Sequence, residues 1–243
     1  SFGKVTRSEN LNMMRLLDMR YNIVDSHSLH NYAMVAMVDV QPPYFGASMP
    51  RADIIFDHHP QSESYQYSFR DVRMTYGATS NILCEYLTAN NIKLTQRLAT
   101  ALLYGIKTDT LMLGRNVNPA DIEAFTSLYP LANHNLVRRM ENPSLNPEEV
   151  NSFIKALKKQ NIINKILFVH LFRVKQEDII PRLADFCLQI EGADWSVVSG
   201  LFQKNLVISV RNVGYVKSAG DIVTTIFNDR EIAGGHRTMA KAV

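Results

Sequence analysis

The stretch that most constrains this chain is Ala52-Asp53-Ile54-Ile55-Phe56-Asp57-His58-His59-Pro60. A short apolar run suited to a buried strand stops at an acid and two histidines, and a proline then prevents the sheet from continuing. In open parallel sheets ligands bind beyond the carboxyl ends of the strands, so an Asp-His-His placed there faces the usual site of chemistry. Imidazole and carboxylate together suit Mn, Zn or Fe(II). A lone histidine in that position would be read as a strand end capping its own turn; two further acids shift the balance.

Asp39 closes a second apolar run, Tyr32-Ala33-Met34-Val35-Ala36-Met37-Val38, and Asp109 follows a third, Leu102-Leu103-Tyr104-Gly105-Ile106-Lys107-Thr108. Segments that each end in an acid predict that Asp39, His58, His59 and Asp109 converge where neighbouring elements end, with a carboxylate able to bridge two metals.

In this order and spacing the residues resemble the DHH phosphoesterases. Asp39 within Val-Asp-Val-Gln-Pro is similar to that family's second motif, Asp57-His58-His59 to its namesake third and Asp109 to its fourth. Gly234-Gly235-His236, with Ser209-Val210-Arg211 upstream, resembles the substrate-binding domain that accompanies the catalytic one. The resemblance spans almost the whole chain. It implies a hydrolase that uses two Mn2+ ions, with Mg2+ or Co2+ as alternatives. In the family's manner Asp39 bridges the metals, His58 and Asp109 complete the second site, His59 contacts the phosphoryl oxygens and Asp57 orients a ligand. Ser209, Arg211, Gly234, Gly235 and His236 would hold the far phosphate or nucleotide and close over the metals. The family opens on a strand carrying Asp-x-Asp, which this sequence does not contain. The expectation is therefore either an N-terminal segment outside this sequence or a degenerate relative.

The accompanying domain implies short substrates, namely short nucleic acid or a small nucleotide, as in the nanoRNase (oligoribonuclease, an exonuclease) and pAp-phosphatase branch. Hydrolysis of cyclic dinucleotides, pyrophosphate or polyphosphate is the alternative within the family. A non-catalytic nucleotide sensor and an α/β domain with purely structural strand ends are the rivals from other classes.

A length of 243 residues accommodates one large or two modest domains with cores. A hydrophobic content of 46% and a charged content of 20% describe an ordinary soluble globular protein. The net charge of +3 argues against a long basic track and hence against a processive exonuclease on long DNA. Cys84 and Cys187 lack metal-ligand spacing and are expected to be buried free thiols in a reducing compartment. No apolar run reaches the roughly 18 residues of a membrane span, and the start is no secretory signal. The expectation is a cytoplasmic protein without a membrane partner, and a homodimer, since dimers are common.

The periodicity predicts α/β architecture with a mainly parallel sheet flanked by helices, followed by a smaller α+β domain. The catalytic domain is placed at 1–145, a linker helix at 146–160 and the substrate domain at 161–243. Helices are expected over 7–20 with Ser8 as cap, 81–89 with Thr79 or Ser80 as cap, 94–107 and 119–131. Residues 21–24 read as a short strand, 25–31 and 41–50 as loops, and 61–75 as polar and mixed. Gly77, just before a helix, leaves backbone N–H groups suited to an anion. In the second domain, strands are expected over 165–172, 195–202 and 205–211 and helices over 177–190 and 218–227. Ser209 and Arg211 are expected to face outward, with a Gly-Gly turn opening a final helix.

Overall fold

The computed structural model describes residue 5 and residues 8–42, 44, 52–61, 65–114, 117–214, 217–228, 232–235 and 237–243. The chain divides into two compact units, Ser1–Pro143 and Ser144–Val243.

The first unit holds a parallel sheet of β1 (Ala36–Val38), β2 (Ile54–Asp57) and β3 (Phe69–Val72), in the order β1-β2-β3. Met37 and Ile55 are buried beside Ala52, with Val40, Tyr65 and Val72 packed against them. Its helices are α1 (Ser8–Leu16), α2 (Ser26–Leu29), α3 (Thr79–Ala89), α4 (Gln96–Asp109), α5 (Pro119–Leu128) and α6 (His134–Glu141). The spacing of Ala99, Leu102, Leu103 and Ile106 puts them on one face of α4, which buries against Cys84, Leu128 and Met140. Thr95 caps α4 by accepting from the Leu98 N–H. Gly105 lets α4 lie directly against Ser80, where any Cβ would overlap the serine side chain.

Four local expectations are corrected here. Residues 25–31 are not all loop, because Asp25 and Ser28 form a capping box that turns the polar stretch into α2. Residues 21–24 hold an isolated bridge at Val24 instead of a strand. Residues 69–72, read as polar and mixed, are strand β3. Finally, α3 begins at Thr79 with Ala78 as an N-cap that makes no side-chain bond, so neither Thr79 nor Ser80 caps it.

The second unit holds α7 (Pro147–Leu157), α8 (Ile179–Cys187), α9 (Ala219–Phe227) and a six-stranded sheet. Its strands are β4 (Asn161–Ile163), β5 (Ile166–Val174), β6 (Trp195–Phe202), β7 (Asn205–Asn212), β8 (Ala233–Gly235) and β9 (Met239–Ala242), ordered β4-β5-β6-β7-β9-β8. Only β5 and β6 run parallel. Phe153 and Ala156 of α7 join Ile180 and Leu183 of α8 over one face, against Leu167 and Val198. On the other face, Ala219 and Val223 of α9 pack with Val210, Ala240 and Ala242.

The final element is strand β9, not a helix. Ala240 and Ala242 alternate into the α9 core while Lys241 stays exposed between them. Gly235 sits opposite Ala240, and a Cβ there would overlap the Met239 carbonyl, so glycine permits this close approach of β8 to β9. The molecule is thus α/β with a parallel sheet flanked by helices, plus a mixed-sheet α+β unit, as the sequence predicts. No helix among the described residues is long and apolar enough to cross a membrane.

Candidate active site

The parallel pairing of β1 and β2, with Val38 opposite Phe56, brings the two acid-bearing strand ends side by side. Asp39 follows directly on β1; its N–H continues the ladder to the Phe56 carbonyl at 2.9 Å. Its φ of +66° then turns the chain away. Asp tolerates this left-handed conformation better than most residues, and such outliers gather at functional sites.

Asp57 closes β2 and is completely buried. Its Oδ1 accepts from the backbone N–H of His58 at 2.8 Å and of His59 at 3.2 Å, and from the His59 ring Nδ1 at 2.8 Å. Its Oδ2 accepts from Gln41 Nε2 at 2.6 Å. Burial alone would push this carboxyl up; the His59 ring, the Gln41 amide and the two backbone donors outweigh it and hold Asp57 below the ordinary carboxylate value. Burial likewise works against protonated His59, yet the bond to Asp57 and the charges of Asp57, Asp39 and Asp109 raise its proton affinity.

His58 is held differently. Its Nδ1 lies 3.1 Å from the Tyr76 carbonyl, to which it donates, and its Nε2 lies 3.6 Å from Asp39 Oδ1. Because Nδ1 carries the proton, Nε2 offers a lone pair. The turn that presents this carbonyl is braced by Arg73. The Arg73 guanidinium donates to Asp71 at 2.7 and 2.8 Å, to Glu85 at 2.5 Å and to the Tyr76 hydroxyl at 3.0 Å. Thr79, at the start of α3, donates its hydroxyl to Asp39 Oδ1 at 2.8 Å.

The ligand atoms of Asp39, His58 and His59 therefore all lie within 4.8 Å of one another. One carboxylate with half its side chain exposed, beside two imidazoles fixed through their Nδ1 atoms, fits a divalent ion. Asp109 stands at the end of α4 and is not part of this group, although its charge acts on His59.

The anion expected near Gly77 is supplied by the protein. The buried Asp121 carboxylate accepts from the Gly77 N–H at 2.9 Å and from Asn81 Nδ2 at 2.7 Å.

In the second unit, Ser209 and Arg211 share one face of β7, but they do not point into solvent. Ser209 is buried and accepts from Arg211 Nη1 at 2.9 Å, while Arg211 Nε donates to Asp185 of α8 at 2.6 Å. Gly234 and Ser209 both lie opposite Lys241. Lys241 Nζ reaches Glu177 at 2.5 Å. Gly235 pairs with Ala240 instead of opening a helix. His236 lies outside the described residues.

Gln41, Thr79, Tyr76 and Lys241 are the residues at these places that the sequence did not single out for such roles.

No protein-family model matches the chain. An uncharacterized protein of Methanocaldococcus jannaschii is 31% identical over 242 residues, which is 99% of this chain and 50% of that protein. The chain thus spans about half the length of this relative. Among solved structures, an exopolyphosphatase-related protein from Bacteroides fragilis superposes with a TM-score of 0.69 at 14% identity, over 90% of this chain and 68% of its own. The fold is shared.

Proposed function

We propose that the chain is a metal-dependent phosphoesterase of the DHH type, acting on short oligonucleotides or small nucleotide phosphoesters of the nanoRNA or pAp kind. The observation that carries this reading is the Asp39–His58–His59 group at the carboxyl ends of two adjacent parallel strands, with ligand atoms within 4.8 Å of one another. The sequence resemblance and the likeness to the exopolyphosphatase-related fold support the same reaction class.

In this reading Asp39 and His58 Nε2 would hold a divalent ion, Mn2+ by preference, and Asp109, which stands outside the Asp39–His58–His59 group, would be the further acid ligand. The ion supplies Lewis-acid activation of a water for in-line attack at phosphorus. Thr79 fixes the Asp39 carboxylate, and the Tyr76 carbonyl keeps the His58 proton on Nδ1, so Nε2 keeps a lone pair with which it would bind the ion. Asp57 holds His59 through Nδ1, which leaves the Nε2 edge of the ring for a phosphoryl oxygen. Ser209, Arg211 and Lys241, with Gly234, Gly235 and His236, are the residues proposed for a terminal phosphate. Hydrolysis of pyrophosphate, polyphosphate or a cyclic dinucleotide is the alternative, because the ligand group is indifferent to what the phosphorus carries.

The test is Mn2+-dependent release of mononucleotide from a 5′-phosphorylated dinucleotide, with pyrophosphate alongside, using the natural full-length protein and its Asp39→Ala variant. Release that disappears in Asp39→Ala is the expected result. Cleavage of pyrophosphate alone selects the alternative, and binding without any hydrolysis makes the protein a nucleotide sensor.

A further inference from the structure

We propose that Gln41 is the positioning residue of this site, fixing the Asp57–His59 pair from the Tyr65 hydroxyl; only its catalytic consequence rests on the phosphoesterase reading. Gln41 is a polar side chain with 6% of its surface exposed. Its amide bridges the two loops that leave β1 and β2. Nε2 donates to Asp57 Oδ2 at 2.6 Å and to the Pro60 carbonyl at 3.2 Å, and Oε1 accepts from the Tyr65 hydroxyl at 2.9 Å.

A primary amide has one donor end and one acceptor end, so its orientation is set by neighbours of fixed polarity. The Asp57 carboxylate and the Pro60 carbonyl only accept, and they turn Nε2 toward themselves. Oε1 then faces the Tyr65 hydroxyl, which donates to it, and the Tyr65 ring packs against the Met37, Ala52 and Ile55 core. Tyr65 thereby anchors the acceptor end of Gln41.

The consequence passes through the carboxylate plane. Oδ1 takes both backbone N–H groups and the His59 ring, and Gln41 holds Oδ2. Without the Gln41 donor the carboxylate is anchored through Oδ1 alone, so its plane, and with it the direction in which it holds the His59 ring, is less strictly set. Gln41 also follows Asp39 by two residues, so the same bond ties the Asp39 loop to the end of β2. Gln41 and Asp57 are buried and bonded to each other, so that part of the arrangement is strongly specified, while the His59 ring reaches out from it with about half its side chain exposed.

The experiment reads the tautomers of His58 and His59 from ring 15N shifts in the metal-free protein, at one pH where both rings are neutral. A free neutral histidine favours the Nε2–H form, so an Nδ1–H form is a signature of the bond made by Nδ1. The wild type is expected to show Nδ1–H for both rings. In Gln41→Met, which fills the space but donates nothing, His59 is expected to revert to mainly Nε2–H while His58, bonded to Tyr76, is unchanged. Tyr65→Phe is expected to shift His59 in the same direction by less. His59 unchanged in both variants, or already Nε2–H in the wild type, overturns the proposal.

Retention of the His58 tautomer reports that the site still folds. If Gln41→Met loses both signatures, Tyr65→Phe decides; loss of both in each variant makes Gln41 a structural residue and also overturns the proposal. Kinetically, Gln41→Met should lower kcat about tenfold to a hundredfold, the usual effect of removing a partner that orients a metal-site residue, with KM within about twofold. A wild type with the expected tautomers but no hydrolysis removes the reaction and leaves the positioning intact.

Discussion

The candidate metal group of the first unit and the proposed phosphate-binding strands of the second handle charge in opposite ways. Around His58 and His59 the surrounding partners take the Nδ1 atoms of the rings, and Asp39, bonded to Thr79 through Oδ1, keeps half of its side chain exposed. Around Ser209, the cations themselves are compensated: Arg211, 14% exposed in its side chain, is paired with Asp185, 61% exposed, and Lys241 with Glu177. In the proposed reading the first arrangement is partly preorganised for an ion, because the His58 and His59 rings are already oriented through their Nδ1 atoms. In the second, an anion must compete with exposed carboxylates, and such pairs are weak enough to exchange.

The largest effect that could break this contrast is kinetic. His58→Ala should lower kcat/KM about a thousandfold, the equivalent of losing several kcal/mol of metal-derived charge stabilisation. Arg211→Ala should cost only about tenfold, expressed mainly in KM. Equal losses measured by steady-state kinetics would erase the distinction between a preorganised and a compensated site.

Next in size is the scaffold behind the first site. Asp121→Ala leaves the Gly77 N–H and Asn81 Nδ2 without their buried acceptor, at a cost of about 3 kcal/mol to the first unit. Urea unfolding measures it; a change below about 1 kcal/mol would mean that the α3 start does not depend on this carboxylate.

A smaller effect sharpens the description of the second site. Asp185→Asn removes the compensating charge while preserving shape, and should tighten binding of inorganic phosphate by about twofold to fivefold, the scale of one exposed ion pair. Isothermal titration that finds weaker binding would show that Asp185 supports the anion site instead of occupying it.

The smallest is a pH dependence in the brace under Tyr76. The Arg73 guanidinium holds the Asp71 carboxyl below its ordinary value of 3.8. A carboxyl lowered in the folded state stabilises above its unfolded pKa, and that contribution is lost as pH falls through the folded value. Stability curves of wild type and Asp71→Asn should therefore differ at neutral pH and converge in acid. Curves that stay parallel down to strongly acidic pH would contradict the sign.

How much of this was legible in the sequence follows from the kind of signal each segment carries. The apolar runs ending at Asp39 and Asp57 mark strands because continuous hydrophobic stretches suit a covered parallel sheet, although β1 buries only Met37 between two exposed residues. β3 was hidden because Arg70 and Asp71 interrupt its pattern; Asp71 is satisfied by Arg73 and Tyr86, contacts that sequence spacing does not display. β9 was misread because Met239, Ala240, Lys241 and Ala242 all favour helices, while its pairing with β7 and the burial of two small alanines decide for strand. Of the candidate site, the Asp and His types with their spacing were readable. Gln41 and Thr79 were not, because a neutral side chain that orients a charged one has no motif of its own. Asp185 and Glu177 were missed for the same reason: their relation to Arg211 and Lys241 exists only once α8 lies over the sheet.

The most direct test of the central claim is a crystal structure of the protein grown with Mn2+, with anomalous scattering to locate the ion. The account predicts an anomalous peak within bonding distance of the Asp39 carboxylate and His58 Nε2, with His59 Nδ1 still on Asp57. Manganese bound elsewhere, with His58 Nε2 left without an ion, would contradict it.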